Sequence, residues 1–277
     1  MTPSVGQLLA DAGLPLAEAR TLLAQSLGVS RERLIAFPET GVPPAAAQAF
    51  GTLAGRRRDG EPMAYLRGVQ EFYGREFRVT PEVLVPRPDT ETLIECALDG
   101  LRGLTGPRVL DLGCGSGCIA VTLKLERPDA SVTATDLSAA ALAVAAGNAA
   151  ALGASIDFRH GDWYAALGTD DAFDLIASNP PYIAATDDRV EPAVRRFEPH
   201  AALFAGTDGL EALRVITGAA GRRLSPGGWL VVEHGDRQGP AVRELLGVAG
   251  FADVATHADL AGLDRCTEGR WPGLPGA

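Results

Sequence analysis

The sequence predicts an α/β protein in which a doubly wound, mostly parallel sheet follows a small helical domain. From about residue 105, short apolar runs alternate with helical segments. Such alternation is typical of parallel sheets with helices on both faces. Before residue 60, apolar residues recur at helical spacing, in stripes that are interrupted at Gly13 and Gly28. The two halves of the chain therefore predict different architectures.

Composition and charge limit the classes of function. The chain has 277 residues, enough for two domains, and a formal net charge of -10. This charge disfavours non-specific binding to DNA phosphates and suits a basic protein partner. We find no leader peptide and no run of about 18 apolar residues, and the four cysteines lack the spacing of a disulfide framework or a metal site. We expect a cytoplasmic protein without metal that does not span a membrane.

Three segments are predicted along the chain. Residues 1–60 form a bundle of four helices, the third capped by Ser30 and the fourth opened by Pro43-Pro44. Residues 61–82 form a linker with a β-hairpin around Tyr73-Gly74, and residues 83–277 form the α/β domain. A proline-rich stretch, 84–91, leads into the first helix of that domain, with Asp89 or Thr90 as its cap. Arg87 in this stretch could either line a ligand site or belong to a purely structural linker.

A glycine-rich turn follows the strand predicted at 108–112 and precedes a helix. Glycines in such a turn allow a ligand to approach the backbone at a strand's carboxyl end. The spacing is G-x-G-x-G, not the dinucleotide pattern G-x-G-x-x-G, and it resembles motif I of S-adenosylmethionine-dependent methyltransferases. A tight turn without any ligand is the alternative. The candidate residues are Asp111, Gly113, Cys114, Gly115, Ser116 and Gly117.

Two further strand ends carry candidate ligand groups. The strand at 131–135 ends on Asp136, where an acidic side chain can accept both hydroxyls of a ribose. After a third strand near residue 157, Asp162 and Trp163 offer an acceptor and an aromatic face for a purine. Helix capping by Asp136 and core packing of Trp163 are the structural alternatives. No histidine lies at metal-ligand spacing, and only His234 stands at a strand end.

The fourth strand, 173–177, leads into Ser178-Asn179-Pro180-Pro181-Tyr182. The two prolines make this turn stiff and force extended backbone before them. The Asn179 side chain and the Pro180 carbonyl can accept hydrogen bonds from a flat –NH2 group, and Tyr182 can stack on it. Adenine or cytosine amines and side-chain carboxamides all fit this description, and the tetrapeptide alone does not choose among them.

Six stretches together resemble the PrmC/HemK family, the protein-(glutamine-N5) methyltransferases of peptide chain release factors. They follow family order at 61–68, 85–91, 111–117, 178–183, 197–199 and 233–235. The resemblance implies a class I S-adenosylmethionine-dependent methyltransferase with a Rossmann-like, seven-stranded sheet, and an N-terminal helical domain that docks the release factor. Residues 264–270 only approximate the family's closing strand.

The resemblance also implies the roles of the candidate residues. The loop 113–117, Asp136 and Trp163 would bind S-adenosylmethionine, whose product is S-adenosylhomocysteine. Asn179 would contact both cofactor and substrate, and Pro180 to Tyr182 would hold the glutamine of a Gly-Gly-Gln tripeptide. We expect a monomer that does not bind nucleic acid directly. N6-adenine methylation of nucleic acid is the alternative enzyme hypothesis, and a binding protein without catalysis is a third.

Overall fold

The structure is a computed structural model that describes residues 2–273. It divides into two compact units. One comprises the chain up to Val69 together with Glu191–Phe197, and the other comprises Gln70–Val190 and the chain from Glu198 onward. Across residues 2–273, no helix combines the length and the apolar character that crossing a membrane requires.

The first unit consists of helices around a small apolar core. Its helices are α1 (Val5–Asp11), α2 (Leu16–Leu27), α3 (Arg31–Ala36), α4 (Pro44–Arg58), α5 (Met63–Arg67) and a short helix at Pro192–Phe197. The four predicted helices are present, and the Ser30 hydroxyl caps α3 by accepting the Arg33 N–H. Leu22, Leu23 and Phe50 are buried between them. The sequence did not predict α5 or the Pro192–Phe197 helix.

The chain from Val69 onward forms the predicted hairpin and, within the second unit, the predicted seven-stranded sheet. The hairpin strands are β1 (Val69–Phe72) and β2 (Arg75–Arg78). The sheet strands are β3 (Arg108–Leu112), β4 (Ser131–Asp136), β5 (Asp157–His160), β6 (Phe173–Ser178), β7 (Leu224–Glu233), β8 (Ala252–Ala258) and β9 (Asp264–Arg270). Their order is β5-β4-β3-β6-β7-β9-β8. The first five pair in parallel, and β9 runs antiparallel to both β7 and β8.

Helices cover both faces of this sheet. They are α6 (Glu91–Gly100), α7 (Cys118–Glu126), α8 (Ala139–Leu152), α10 (Glu211–Ala220) and α11 (Gly239–Val248). The label α9 denotes the Pro192–Phe197 helix of the first unit. Successive residues of a strand point to opposite faces, so Val109 packs in the core with α6, α7 and α8 while Leu110 packs in the core with α10 and α11. Burial on both faces explains why β3 and β6 are almost continuously apolar.

Two predicted boundaries are wrong around the fifth strand of the sheet. The helix expected up to residue 224 ends at Ala220, and β7 begins at Leu224, not after the Pro226-Gly227-Gly228 turn. This segment stays in the sheet because Gly227 donates its N–H to the Trp271 carbonyl at 2.7 Å, and Trp271 donates to the Gly228 carbonyl at 2.7 Å. Residues 264–270, which only approximate the family pattern, form the complete strand β9.

The topology places the candidate residues at one edge of the sheet. Strands β3, β4, β5, β6 and β7 are parallel, so their carboxyl ends lie side by side. The chain winds outward from β3 in one direction and resumes at β6 on the other side, and crevices at such reversal points bind ligands in doubly wound folds. The glycine loop, Asp136, Trp163 and Asn179 all follow strand ends at this edge.

Candidate active site

A cavity of about 420 Å³ opens at this edge, within the second unit. Eleven predicted residues line it: Arg87, Gly113, Cys114, Gly115, Ser116, Asp136, Asp162, Trp163, Asn179, Pro180 and Pro181. Within residues 2–273 the lining includes neither Asp111, Gly117 nor Tyr182. Lining residues that the sequence did not suggest include Val83, Leu84, Pro86, Thr90, Leu137, Ala141 and Pro199. Sequence reasoning therefore located the polar side of the cavity and missed most of its apolar wall.

The glycine loop is held against the ends of β3 and β4. The N–H groups of Gly113 and Cys114 both donate to the Thr135 carbonyl, at 2.9 and 3.0 Å. Gly113 has a φ of 71°, in the left-handed region that favours glycine. A Cβ on Gly113 would lie 3.4 Å from the Trp163 ring. The absent side chain thus lets an aromatic ring lie directly over the loop.

Asp136 is fixed in place by two backbone hydrogen bonds. Its Oδ2 accepts the Gly115 N–H at 2.9 Å, and its Oδ1 accepts the Ser138 N–H at 2.8 Å. Each carboxylate oxygen has a second lone pair, so both can still accept a bond from a ligand hydroxyl. The structural alternative, that Asp136 caps the following helix, is wrong, because the cap is Ser138, whose hydroxyl accepts the Ala141 N–H. Asp136 is therefore free to face the cavity.

Trp163 has an unusual backbone. Its φ is 45°, a left-handed conformation that costs a non-glycine residue about 1 kcal/mol or more. The Thr135 hydroxyl donates to the Trp163 carbonyl at 3.3 Å, and the residue begins a short 3-10 helix, Trp163–Ala166. The ring packs against the core and lines the cavity. Both readings of this residue, core packing and ligand contact, fit its position.

Asp111 supports the loop from behind the cavity wall. It is completely buried, and its Oδ2 accepts the Ala120 N–H at 3.0 Å. In the described chain its Oδ1 has no hydrogen-bond partner. Burial, together with the nearby Asp136 charge, raises the pKa of Asp111 to about 7. A contact between Asp111 and a cofactor remains a prediction.

We expect Asp111→Asn to gain stability relative to the unsubstituted protein as pH rises from 5 to 8. The folded-state pKa lies above the ordinary value, so the stabilising effect of protonation is complete below pH 4 and is lost as pH rises through about 7. Asparagine has no such loss. Urea unfolding at both pH values should show the difference in unfolding free energy growing by about 2 to 3 kcal/mol.

Asp129→Asn serves as the control for this measurement. The Arg127 guanidinium and the Gly106 N–H lower the pKa of Asp129 to about 2, so this carboxylate keeps its charge throughout the tested range. The change in unfolding free energy caused by Asp129→Asn should therefore be constant between pH 5 and 8. Equal pH dependence in the two variants would contradict the assignment of a raised pKa to Asp111.

The turn after β6 is anchored to neighbouring strands and to the segment before α6. The Ser178 hydroxyl donates to the Leu112 carbonyl at 2.7 Å, which links the turn to β3. Asn179 donates from Nδ2 to the Thr90 hydroxyl oxygen at 3.1 Å. This bond orients the amide so that its carbonyl oxygen is the end available to accept from a ligand. Asp89 or Thr90 was predicted to cap α6; Thr90 stands at the cap position, but its side chain makes no cap bond and contacts Asn179 instead.

Tyr182 is held through its hydroxyl group. This hydroxyl donates to Glu233 Oε1 at 3.1 Å, and the Tyr182 carbonyl accepts from Gln238 Nε2 at 3.0 Å. Burial and the adjacent Glu233 charge raise the pKa of Tyr182 above its usual value, so the phenol stays protonated at neutral pH. Its predicted stacking on a substrate remains a prediction.

Glu233 is a functional candidate that sequence reasoning missed. It ends β7, is 1% exposed, and stands beside the Asn179 turn because Ser178 pairs with Val232 in the sheet. Burial raises its pKa to about 7, against the opposing effects of Thr90, Arg265 and Tyr182. Its signals in the sequence are an acidic residue closing the apolar run 229–232 and its place in the family-like stretch 233–235, and neither assigned it a role.

Arg87 lines the cavity and also forms an ion pair. Its Nη2 lies 2.5 Å from Glu198 Oε1, and Glu198 Oε2 accepts the Val85 N–H at 3.2 Å. The Glu198 side chain is 1% exposed, so this pair fixes the path of the stretch 84–91 along the cavity. The ion pair therefore supports a structural role for Arg87 in this stretch, and a contact between Arg87 and substrate remains a prediction.

His234 and one cluster of possible metal ligands lie outside the cavity. His234 is buried and bonds to the Gly235 carbonyl and the Thr267 hydroxyl, and burial lowers its pKa. One group within residues 2–273, Cys96, His257 and Glu268, has ligand atoms within 4.8 Å of one another. His257 Nε2 and Glu268 Oε1 already pair with each other at 3.0 Å. All four cysteines are free and buried.

Two family models match this chain. The methyltransferase small domain family matches residues 89–210, and the PrmC N-terminal domain matches residues 4–68. The release factor glutamine methyltransferase of Bordetella pertussis is 54% identical over 95% of this chain and 97% of its own length. That of Burkholderia pseudomallei is 48% identical over 98% of this chain and 97% of its own length.

Solved structures agree at the level of the fold. The T. thermophilus 16S rRNA N2 G1207 methyltransferase, in complex with AdoMet and guanosine, has a TM-score of 0.54 and 23% identity. The match covers 73% of this chain and 49% of that one. The seven-stranded sheet is thus a methyltransferase fold, and from the curated relatives the chain belongs to the release factor glutamine methyltransferase family.

Proposed function

We propose that this enzyme transfers a methyl group from S-adenosylmethionine to the side-chain amide nitrogen (N5) of the glutamine in the Gly-Gly-Gln motif of peptide chain release factors, leaving S-adenosylhomocysteine. One observation carries the proposal. The Asn179 amide is oriented by Thr90 so that its oxygen can accept an N–H at the cavity that Asp136 and Trp163 also line. A flat –NH2 acceptor and a nucleoside-containing donor fit side by side in such a site.

The cofactor site consists of the residues that follow β3, β4 and β5. The loop 113–117 packs against the cofactor, Asp136 accepts the ribose hydroxyls, and Asp162 and Trp163 contact the adenine. Leu137, which is exposed and lines the cavity, adds an apolar surface beside them. When bound, S-adenosylmethionine supplies an electrophilic methyl group on a sulfonium. The fixed carboxylate of Asp136 and the aromatic face of Trp163 suit the neutral adenosine part of that molecule.

Asn179 and Pro180 prepare the glutamine nitrogen for reaction. The lone pair of an amide nitrogen is delocalised into the carbonyl, which makes it a poor nucleophile. Hydrogen bonds from both N–H groups, one to Asn179 Oδ1 and one to the Pro180 carbonyl, favour a pyramidal nitrogen with a localised lone pair. These bonds strengthen as the nitrogen gains positive charge, so they stabilise the transition state more than the bound substrate. Tyr182 packs against the flat carboxamide.

The first unit is the surface that docks the release factor. Its match to the PrmC N-terminal domain supports this assignment. The net charge of -10 is that of the whole chain, and it suits a basic protein partner better than a nucleic acid. The four reduced, buried thiols fit a reducing compartment, and we place the enzyme in the cytoplasm as a monomer.

The decisive experiment incubates the protein with radiolabelled S-adenosylmethionine and three acceptors. These are a release factor, the same factor with alanine in place of the Gly-Gly-Gln glutamine, and double-stranded DNA. We expect label only in the unsubstituted release factor, with one added methyl group on the glutamine peptide in mass spectrometry. Label in DNA and none in the release factor would favour the N6-adenine alternative and overturn the proposal.

A further inference from the structure

We propose that Asn148 is a positioning residue for the cofactor site, and that its amide sets the spacing between two parts of the cavity wall. These parts are the glycine loop at Ser116 and the turn at Val83, and both line the cavity. This inference rests on the proposed function for its effect on S-adenosylmethionine binding. Its structural content concerns only residues of the second unit and is tested in the ligand-free protein.

Asn148 is the one polar side chain of α8, whose other residues are alanine, leucine, valine and glycine. It is nevertheless buried, at 3% exposure. Ala141, Ala145 and Asn148 follow one another at intervals of four and three positions, so they lie on one face of the helix. Ala141 lines the cavity, and a Cβ on Gly117 would lie 3.0 Å from the Ala145 Cβ. This face of α8 therefore packs against the glycine loop.

The Asn148 amide bonds to β2 as a neighbouring strand would. Its Oδ1 accepts the Arg78 N–H at 2.8 Å, and its Nδ2 donates to the Arg78 carbonyl at 3.0 Å. A residue in a sheet offers the same two backbone groups to an adjacent strand. A backbone N–H can only donate and a carbonyl can only accept, so the amide has a single orientation here. The last residue of the hairpin is in this way joined to α8.

The same Nδ2 also bonds to the glycine loop, where it donates to the Ser116 carbonyl at 2.8 Å. The C=O and the N–H of a trans peptide point in opposite directions. The bond from Asn148 therefore directs the Gly117 N–H to the other side of the peptide plane, where it donates to the Cys114 carbonyl at 2.7 Å. The peptide group that follows Ser116 is thus fixed at both ends.

A short turn connects Arg78 to the second part of the wall. The Thr80 carbonyl accepts the Val83 N–H at 3.1 Å, and the Thr80 hydroxyl oxygen accepts the Glu82 N–H at 3.3 Å. Glu82, Val83 and Leu84 all line the cavity. Because the turn is held by its own hydrogen bonds, the position of Arg78 sets the position of this wall.

Asn148 acts on the cavity only through these two backbone segments. Within residues 2–273 it is not among the lining residues. Its three hydrogen bonds use the amide oxygen and the amide nitrogen, and they join residues 70 and 32 positions away along the chain. Removing the amide therefore releases the Ser116 carbonyl and the Arg78 backbone together, and the cofactor meets a wall that is less well ordered.

The binding test compares Asn148→Ala with the unsubstituted protein by calorimetric titration with S-adenosylmethionine. We expect the dissociation constant to rise about 10-fold, the effect of losing one or two net hydrogen bonds. At saturating cofactor, kcat for release factor methylation should change by less than about threefold, because Asn179 keeps its own bond to Thr90. A loss in affinity without a comparable loss in kcat is the signature of a residue that positions the cofactor site.

Two further variants separate positioning from stability. Asn148→Asp keeps the shape and the acceptor for Arg78 but, when ionised, has no donor for Ser116, so it should weaken binding at least as much as alanine. Leu246→Ala removes a fully buried side chain of α11 from the core on the other face of the sheet. This control should lower Tm at least as much as Asn148→Ala and leave the dissociation constant unchanged. An Asn148→Ala dissociation constant within about twofold of the unsubstituted value would overturn the inference.

Hydrogen exchange in the ligand-free protein is a readout that does not involve the cofactor. We expect the amides of Arg78 and Gly117 to exchange faster in Asn148→Ala, relative to the amides of α11, and to be unchanged by the same measure in Leu246→Ala. If these amides respond but the unsubstituted protein binds no S-adenosylmethionine, the proposed function fails while the positioning network stands. If S-adenosylmethionine binds but neither exchange nor the dissociation constant depends on Asn148, the inference alone fails.

Discussion

Replacing Asn179 with alanine lowers kcat for release factor methylation by about 100-fold or more, the usual effect of losing one oriented group that acts on developing charge. The Asn179 oxygen contributes most when the glutamine nitrogen becomes positive, so the loss should appear in kcat more than in binding. The affinity for S-adenosylmethionine should change by less than about threefold. Steady-state kinetics with saturating release factor and calorimetric titration of the cofactor measure the two quantities.

Asn179→Asp is the matched variant for this experiment. Aspartate keeps an acceptor oxygen at the same position but loses the Nδ2–H that Asn179 donates to Thr90. We expect an activity between those of the alanine variant and the unsubstituted enzyme. If the alanine variant lost cofactor affinity as strongly as kcat, Asn179 would mainly hold the cofactor, and the proposed division of roles would be wrong.

Replacing Asp136 with alanine weakens S-adenosylmethionine binding by about 100-fold. Two hydrogen bonds from ribose hydroxyls to an ionised acceptor are worth about 3 kcal/mol together, and each 1.4 kcal/mol is a factor of ten. The variant also frees the N–H groups of Gly115 and Ser138, which Asp136 now accepts. The glycine loop should loosen as a result, which adds to the loss. Calorimetry or fluorescence titration with the cofactor gives the dissociation constant directly.

Asp157→Ala is the control for Asp136. Asp157 begins the neighbouring strand β5 and pairs with Arg159 at 2.7 Å, away from the cavity. Its removal should leave the dissociation constant unchanged. The kcat of Asp136→Ala at saturating cofactor should fall much less than that of Asn179→Ala, because the ribose is remote from the transferred methyl group. A dissociation constant within about threefold of the unsubstituted value would contradict the ribose assignment.

The features that the sequence predicted well depend on neighbouring residues in the chain. Strand ends followed by special residues, such as the glycine loop and the turn at Asn179, are local patterns, and parallel pairing brings them to one edge automatically. The mostly parallel sheet and the helices on both faces follow from the βα alternation in the same way. Local signals were therefore sufficient for the fold class and for the polar half of the cavity.

The features that the sequence did not predict depend on contacts between distant residues. Thr90 fits a helix cap by local rules, but the fold places its hydroxyl against Asn179, 89 positions away. Glu233 follows an apolar strand and gave no sign that Tyr182 would donate to it. Likewise, the partner of Arg87 is Glu198, 111 positions later. Only the three-dimensional arrangement shows which of several plausible local roles each side chain takes.

The left-handed backbone of Trp163 is compensated by the ring that the residue carries. Glycine would adopt a φ of 45° without strain. A glycine would also remove the ring that packs against the core, lies over Gly113 and lines the cavity. Truncating a packed aromatic ring typically costs about 3 kcal/mol, which exceeds the backbone strain of about 1 kcal/mol. Stability and the shape of the cavity therefore both favour an aromatic side chain at a position whose backbone conformation disfavours it.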